Sequence, residues 1–255
     1  MPDAHYARDD AVGVVTLNRP ERLNAMNGSM MADFEATLRR AIADPDCAVI
    51  VLTGAGRAFC AGDDLKDYEL QIANDAAIEA HVAAIQQITR VMMGCDKPII
   101  GAIHGYAIGG GFELLLNCEL VVAADDLVAF FPETEWGQFV TGGVTHLLPL
   151  SLGYQRAMEL LLLGERKTAA ELLALGLVNR VVPLAEMVPV AISLAKRIAS
   201  RSRWSIGRLK TLLNGELGGA LWKAVEAEQA ITVQAFRNPE TAKRIAGFAT
   251  GKRGA

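Results

Sequence analysis

Residues 97–126, KPIIGAIHGYAIGGGFELLLNCELVVAADD, decide the reading of this chain. After Pro98, the apolar run 99–108 has the composition of a buried strand that ends in a loop. Gly109, Gly110 and Gly111 follow, and FELLLNCEL after them reads as a short buried helix. A glycine run at a helix start leaves backbone N–H groups free and lets a ligand approach the main chain closely. Those groups, aided by the helix dipole, favour negative charge. Glu113 lies one helical turn from Gly110 in an otherwise greasy segment. Burial there raises a carboxyl pKa, and a tuned carboxyl beside an anion-binding amide is common catalytic equipment. The dinucleotide spacing G-x-G-x-x-G with its later acidic residue is not met. His104, Glu113, Asn117 and Glu119 interrupt the run, which argues for a soluble core segment rather than a membrane span. Taken alone, the segment also fits glycines kept for packing and Glu113 in a structural hydrogen bond.

The 255 residues are 51% hydrophobic and 21% charged, with a formal net charge of −4. That balance supports one substantial core and no pull toward nucleic acid or anionic membrane. An anionic ligand therefore needs a local basic cluster. The opening residues, MPDAHYARDDAVG, lack a basic region followed by an apolar core, so a cytoplasmic location is expected. Cys47, Cys60, Cys95 and Cys118 have no C-x-x-C spacing and read as reduced thiols. The four histidines are far apart, and nothing in the spacing points to a metal or to a bound cofactor.

Outward from the central stretch, residues 13–18 (GVVTLN) and 48–53 (AVIVLT) read as strands. A helix is expected after Asn27, a suitable N-cap, with Met30, Met31, Phe34 and Leu38 on one face. Residues 67–94 have a helical pattern broken near Asn74-Asp75, and residues 128–131 form another short strand. Beyond PETEWGQFVTGG the chain reads as helical, at 153–163, 168–175, 184–201, 204–213 and 220–236. Strands and helices alternate early and helices dominate late. The expectation is an α/β core over 1–200 with a helical region over 201–255.

Four blocks, VGVVTLNRPERLNAMN, DPDCAVIVLTGAGRAFCAGDDL, KPIIGAIHGYAIGGGFELLLNCEL and LGLVNRVVP, stand in order along the chain. Together they resemble the enoyl-CoA hydratase/isomerase (crotonase) superfamily over nearly its whole length. The resemblance implies a crotonase-like ββα spiral, C-terminal helices that assemble a homotrimer or dimer of trimers, and an acyl-CoA thioester as ligand. Coenzyme A then enters as part of the substrate, with no separate cofactor.

The resemblance also assigns residues. The thioester oxygen would be held by the backbone N–H groups of Asp63 and Gly110. Glu113 and Glu133 match the hydratase pair, and syn hydration needs one group to deprotonate water and another to handle the α-proton. Ala58 and Ala61 match main-chain positions lining the adenine pocket, while Arg22 and Lys66 fall near contacts to the CoA phosphates. Two departures stand out. Asp63 occupies a position usually held by Ala or Gly, so its carboxylate should point away from the oxygen, capping the turn after Asp64 or meeting a polar substrate group. The loop WGQFVTGGVTHLLP places Val140, Thr141 and Val144 where many hydratases carry a proline and extra glycines, which alters the acyl pocket. The expected activity is hydration of a 2-enoyl-CoA to a 3-hydroxyacyl-CoA. Alternatives are a Δ3,Δ2-enoyl-CoA isomerase using Glu133, a non-catalytic acyl-CoA-binding protein, and a thioester hydrolase.

Overall fold

A computed structural model describes residues 2–249; the end of the expected helical region, 250–255, lies outside the described residues. The main sheet holds β1 (Ala4–Asp9), β2 (Val12–Leu17), β3 (Val49–Gly54), β4 (Ile99–Ile103), β6 (Leu120–Ala124) and β9 (Arg180–Val182), in that spatial order. A second sheet pairs β5 (Tyr106–Ile108) with β7 (Val128–Phe130) and β7 with β8 (Lys167–Thr168). β1 and β2 form an antiparallel hairpin, and the other strands of the main sheet run parallel.

Parallel strands covered on both faces must be apolar throughout, and β3 (VIVLTG) is buried along nearly all its length. Its side chains alternate. Ile50 and Leu52 join Val15, Leu17, Ile99 and Ile103 against Met30, Phe34 and Leu38 of α1 (Gly28–Ala43). Beyond the short α2 (Tyr68–Gln71), α3 (Asp75–Gly94) adds Ile88 and Met92 to the same cluster. Val49 and Val51 turn the other way, with Ile100, Ala102 and Val122. These pack on Met187, Ala191 and Leu194 of α9 (Leu184–Ala199). Asn27 caps α1 as expected, accepting from the Met30 N–H at 2.9 Å, and Asn74 likewise caps α3.

The winding is a spiral. A main-sheet strand leads to a strand of the second layer and then to a helix: β4, β5 and α4 (Gly110–Leu116), then β6, β7 and α5 (Glu133–Trp136). α6 (Val144–Leu152), α7 (Tyr154–Leu163) and α8 (Ala169–Leu175) follow, and α10 (Arg203–Arg237) and α11 (Pro239–Ala249) end the described chain.

The apolar run 99–108 is two strands rather than one. β4 stops at Ile103, and Gly105, at φ +58°, turns the chain into the other sheet where a Cβ would strike the Arg57 carbonyl. Both strands are buried, so composition does not mark the switch. FELLLNCEL is helical only to Leu116, and LVVAA after it is β6. The helices expected at 204–213 and 220–236 are one 35-residue helix, α10, running through Gly215, Gly218 and Gly219. Each interior glycine costs about 1 kcal/mol of helix propensity. Burial of Leu221, Val225 and Phe236 along α10 offsets that cost. Among the described residues no helix is long and apolar enough to cross a membrane.

Candidate active site

Two segments distant in sequence meet beside β5. The Cys60 N–H donates to the Tyr106 carbonyl and the Ile108 N–H returns a bond to Cys60, each at 3.0 Å. On the other side the Met26 N–H donates to Gly62 O at 2.7 Å and the Asp64 N–H to Met26 O at 3.0 Å. Residues 60–64 are thereby clamped between Met26 and β5. A Cβ on Gly62 would lie 2.6 Å from the Ile108 oxygen and 3.5 Å from the Gly110 nitrogen, so only glycine allows this approach. The amides of Asp63 and Gly110 are left without an acceptor among the described residues. Both residues line one cavity of about 60 Å³, room for a few water molecules.

Glu113 and Glu133 line that same cavity. Glu113, buried on α4, accepts from the Thr141 N–H at 2.8 Å and from the Thr141 hydroxyl at 2.5 Å. Burial pushes its pKa up to about 7; the Thr141 bonds act in the opposite direction, and Glu228 and Asp63 add to the rise. Glu133 opens α5 behind Pro132, where Phe131 stacks on Phe112 at 4.5 Å between ring centres. Its Oε2 is buried with no hydrogen-bond partner. Burial first, then the charge of Glu113, hold its pKa well above the carboxylate range.

The Thr141 grip is itself braced. The Gly142 N–H donates to Gln86 and its carbonyl accepts from Asn117, at 3.2 and 2.9 Å. Glu228, buried in the middle of α10, accepts from the Gly143 N–H at 2.8 Å and from the Thr145 N–H and hydroxyl at 2.8 and 2.6 Å. One signal for it was present in the sequence: Leu221, Val225, Glu228, Thr232 and Phe236 recur at helical spacing, placing a lone carboxylate on an apolar stripe.

The Asp63 carboxylate is occupied by Gln71 Nε2 at 3.0 Å and His81 Nε2 at 2.9 Å. The capping expected of it falls to Asp64, which accepts from the Lys66 N–H at 3.1 Å and pairs with Arg19 at 2.6 Å. Gln71 and His81 escaped the sequence reading because a helical pattern does not say which polar side chain turns inward. Ala61 lines the cavity. Ala58 is fully buried outside it, its carbonyl accepting from Asn24 at 2.8 Å. Arg22 and Lys66 are exposed on the two turns that the clamp ties together.

The chain as a whole has counterparts among known proteins. A profile of the enoyl-CoA hydratase/isomerase family matches residues 7–253. The chain belongs to that family. A probable mitochondrial enoyl-CoA hydratase of Dictyostelium discoideum is 34% identical over 225 residues, 88% of this chain and 80% of that one. A mitochondrial enoyl-CoA hydratase of Pongo abelii is 30% identical over 241 residues, 94% of this chain and 82% of that one. Among solved structures, an enoyl-CoA hydratase from Mycobacterium avium subsp. paratuberculosis K-10 superposes with a TM-score of 0.88 at 25% identity. That superposition covers 99% of this chain and 98% of the other. The chain is therefore a crotonase-fold enzyme of the hydratase/isomerase type, as the four sequence blocks implied.

Proposed function

We propose that this enzyme hydrates a 2-enoyl-CoA thioester to the 3-hydroxyacyl-CoA. One observation carries the choice: two buried carboxyl groups share a cavity, burial raises the pKa of both, and only Glu113 accepts hydrogen bonds from a neighbouring residue. Glu113 accepts two hydrogen bonds, which favour its anion. Glu133 has a buried oxygen with no donor, which favours its acid. The Asp63 and Gly110 N–H groups donate to the thioester oxygen as it gains charge, each contributing about 3 kcal/mol by analogy with other oxyanion holes. Glu113 takes a proton from water as the oxygen bonds the β-carbon, and Glu133 gives its proton to the α-carbon. Proton exchange between the two carboxyls through solvent resets the pair. Isomerisation instead needs Glu133 ionised to take a proton, and its surroundings oppose that.

For the rest of the thioester, Arg22 and Lys66 are proposed to meet the CoA phosphates from the exposed turns. The main chain at Ala61 is proposed to meet the adenine; Ala58, expected to share that role, is fully buried with its carbonyl held by Asn24 and is out of a ligand's reach. No cofactor is invoked. Four free cysteines fit the cytoplasmic location proposed for the enzyme.

The deciding experiment supplies a trans-2-enoyl-CoA and, separately, a 3-enoyl-CoA of matched length. The first is expected to lose its conjugated absorbance and gain the mass of water. Inertness of the first, with new conjugation from the second, identifies an isomerase. The pH dependence follows from the pair. The base must be ionised, so kcat/KM is expected to rise with pH through an apparent pKa near 7. The acid must stay protonated, so the profile falls again at higher pH. A profile flat from pH 5 to 9 counts against this division of labour.

Assembly is proposed to be a trimer or dimer of trimers. Trp204, Leu209, Leu212 and Leu213 of α10 are more than half exposed, and Leu209 and Leu213 border an apolar groove completed by Leu194 and Ile198 of α9. Light scattering at micromolar concentration is expected to give three or six times the chain mass. A monomer overturns the proposal.

A further inference from the structure

The cavity that holds Glu113 and Glu133 also contains polar atoms that the hydration chemistry does not use. Tyr68, on α2, is 7% exposed, and Thr232, on α10, is 2% exposed. Both line the cavity, and neither the Tyr68 phenol oxygen nor the Thr232 hydroxyl has a hydrogen-bond partner. Gln138, also in the lining, adds a third unpartnered buried oxygen. These groups are held in place rather than loose. Tyr68 stacks on Phe236 at 5.9 Å, and His81, the partner of Asp63, meets Phe236 edge-on at 5.5 Å.

A buried hydroxyl left unpaired is costly, and a pocket meant for a plain alkyl chain gains nothing from two of them. We propose that the acyl group of the substrate is short and carries a neutral oxygen, a hydroxyl or a carbonyl, beyond its reacting carbons. Tyr68 and Thr232 are the residues that receive it. Each hydroxyl can donate and accept, so either oxygen function satisfies them. Neutrality follows from the charges. Asp63, Glu113 and Glu133 line the cavity and none of its lining residues is basic, so a second carboxylate on the acyl group would meet only repulsion. Shortness follows from the size of the cavity and from its closure by Trp136, Phe139 and Phe236.

This inference rests on the acyl-CoA reading above and deepens it. Its test compares two CoA thioesters of equal length, 5-hydroxypentanoyl-CoA and hexanoyl-CoA, in which a hydroxyl replaces a methyl. Neither is turned over, so calorimetry reads recognition apart from chemistry. The hydroxylated ester is expected to bind about 10-fold tighter or better, the scale set by leaving a buried hydroxyl unpaired. Tyr68→Phe and Thr232→Val preserve shape, and each is expected to bring the affinity ratio toward one. The corresponding 2-enoyl pair should show the same ratio in kcat/KM. Equal or tighter binding of hexanoyl-CoA by the wild type overturns the proposal, since water then satisfies the hydroxyls and alkyl chains displace it without loss. A ratio untouched by both variants also overturns it, by removing these two residues as its source. Hydration of both enoyl esters without a preference defeats this inference and leaves the hydratase reading standing. A binding preference without hydration of either does the reverse.

Discussion

Glu133→Gln is expected to lower kcat by about 10²-fold or more, the usual scale for removing a general acid, with CoA-ester binding retained. The amide keeps the shape of the side chain but has no proton of the right acidity to give the α-carbon. Glu113→Gln is expected to fall by a comparable factor for the complementary reason, since an amide cannot take a proton from water. The two variants should differ in stability. Burial holds Glu133 protonated in the fold where the unfolded chain ionises it, so folding at neutral pH takes up a proton; glutamine removes that cost, and Tm should hold or rise. At position 113 the amide oxygen can accept the Thr141 N–H and the amide nitrogen can donate to the Thr141 hydroxyl, so the fold survives there too. Circular dichroism melts beside steady-state rates check both halves. Wild-type turnover in either variant removes that residue from the mechanism.

The sequence made the spiral legible where residue type and conformation coincide. The apolar strand read at 48–53, the start of the strand read over 99–108, the Asn27 cap and the break at Asn74 each follow from local chemistry, and the four blocks linked them into one fold. The errors share a cause. At Gly105 the chain changes sheets inside a continuous apolar run, and in α10 Gly215, Gly218 and Gly219 bridge the two expected helices within one helix held by its packing. Neither event changes composition. Of the proposed site, Asp63, Gly110 and Glu113 lie within the four blocks, and Glu133 was placed by the Pro-Glu match twenty residues after Glu113. Helical spacing marks Glu228 as a lone carboxylate on an apolar stripe but not what it holds: Thr141 reaches Glu113 across 28 residues and Glu228 reaches Gly143 across 85, and the same spacing does not bring Tyr68 and Thr232 to the cavity. The departure noted in the 138–144 loop was the nearest hint, since Thr141 there is the residue that holds Glu113.

Gly109→Ala is expected to reduce kcat by about 10²-fold or more, because it disturbs the acid and one oxyanion donor together. Gly109 adopts φ +50° and ψ −116°, outside the regions open to residues with a Cβ. Forcing alanine into that conformation costs about 1–3 kcal/mol. The added carbon would also stand 2.5 Å from Glu133 Oε1, well inside contact distance. The chain can relieve this only by rotating the peptide that carries the Gly110 N–H or by displacing the Glu133 carboxyl, and both belong to the proposed machinery. KM should change less than kcat, since the CoA portion is bound elsewhere. Gly28→Ala is the matched control: a Cβ there meets nothing within 4 Å and the backbone is ordinary helix, so activity and Tm should stay near wild type. Gly110→Pro deletes the donor N–H, and its added carbons also strike Met26, so it too is expected to be severely impaired, with its fold checked by circular dichroism. Asp63→Ala keeps its N–H and is expected to retain substantial turnover. A folded Gly109→Ala enzyme with wild-type kcat would refute the placement of Glu133 and the Gly110 amide around one reacting centre.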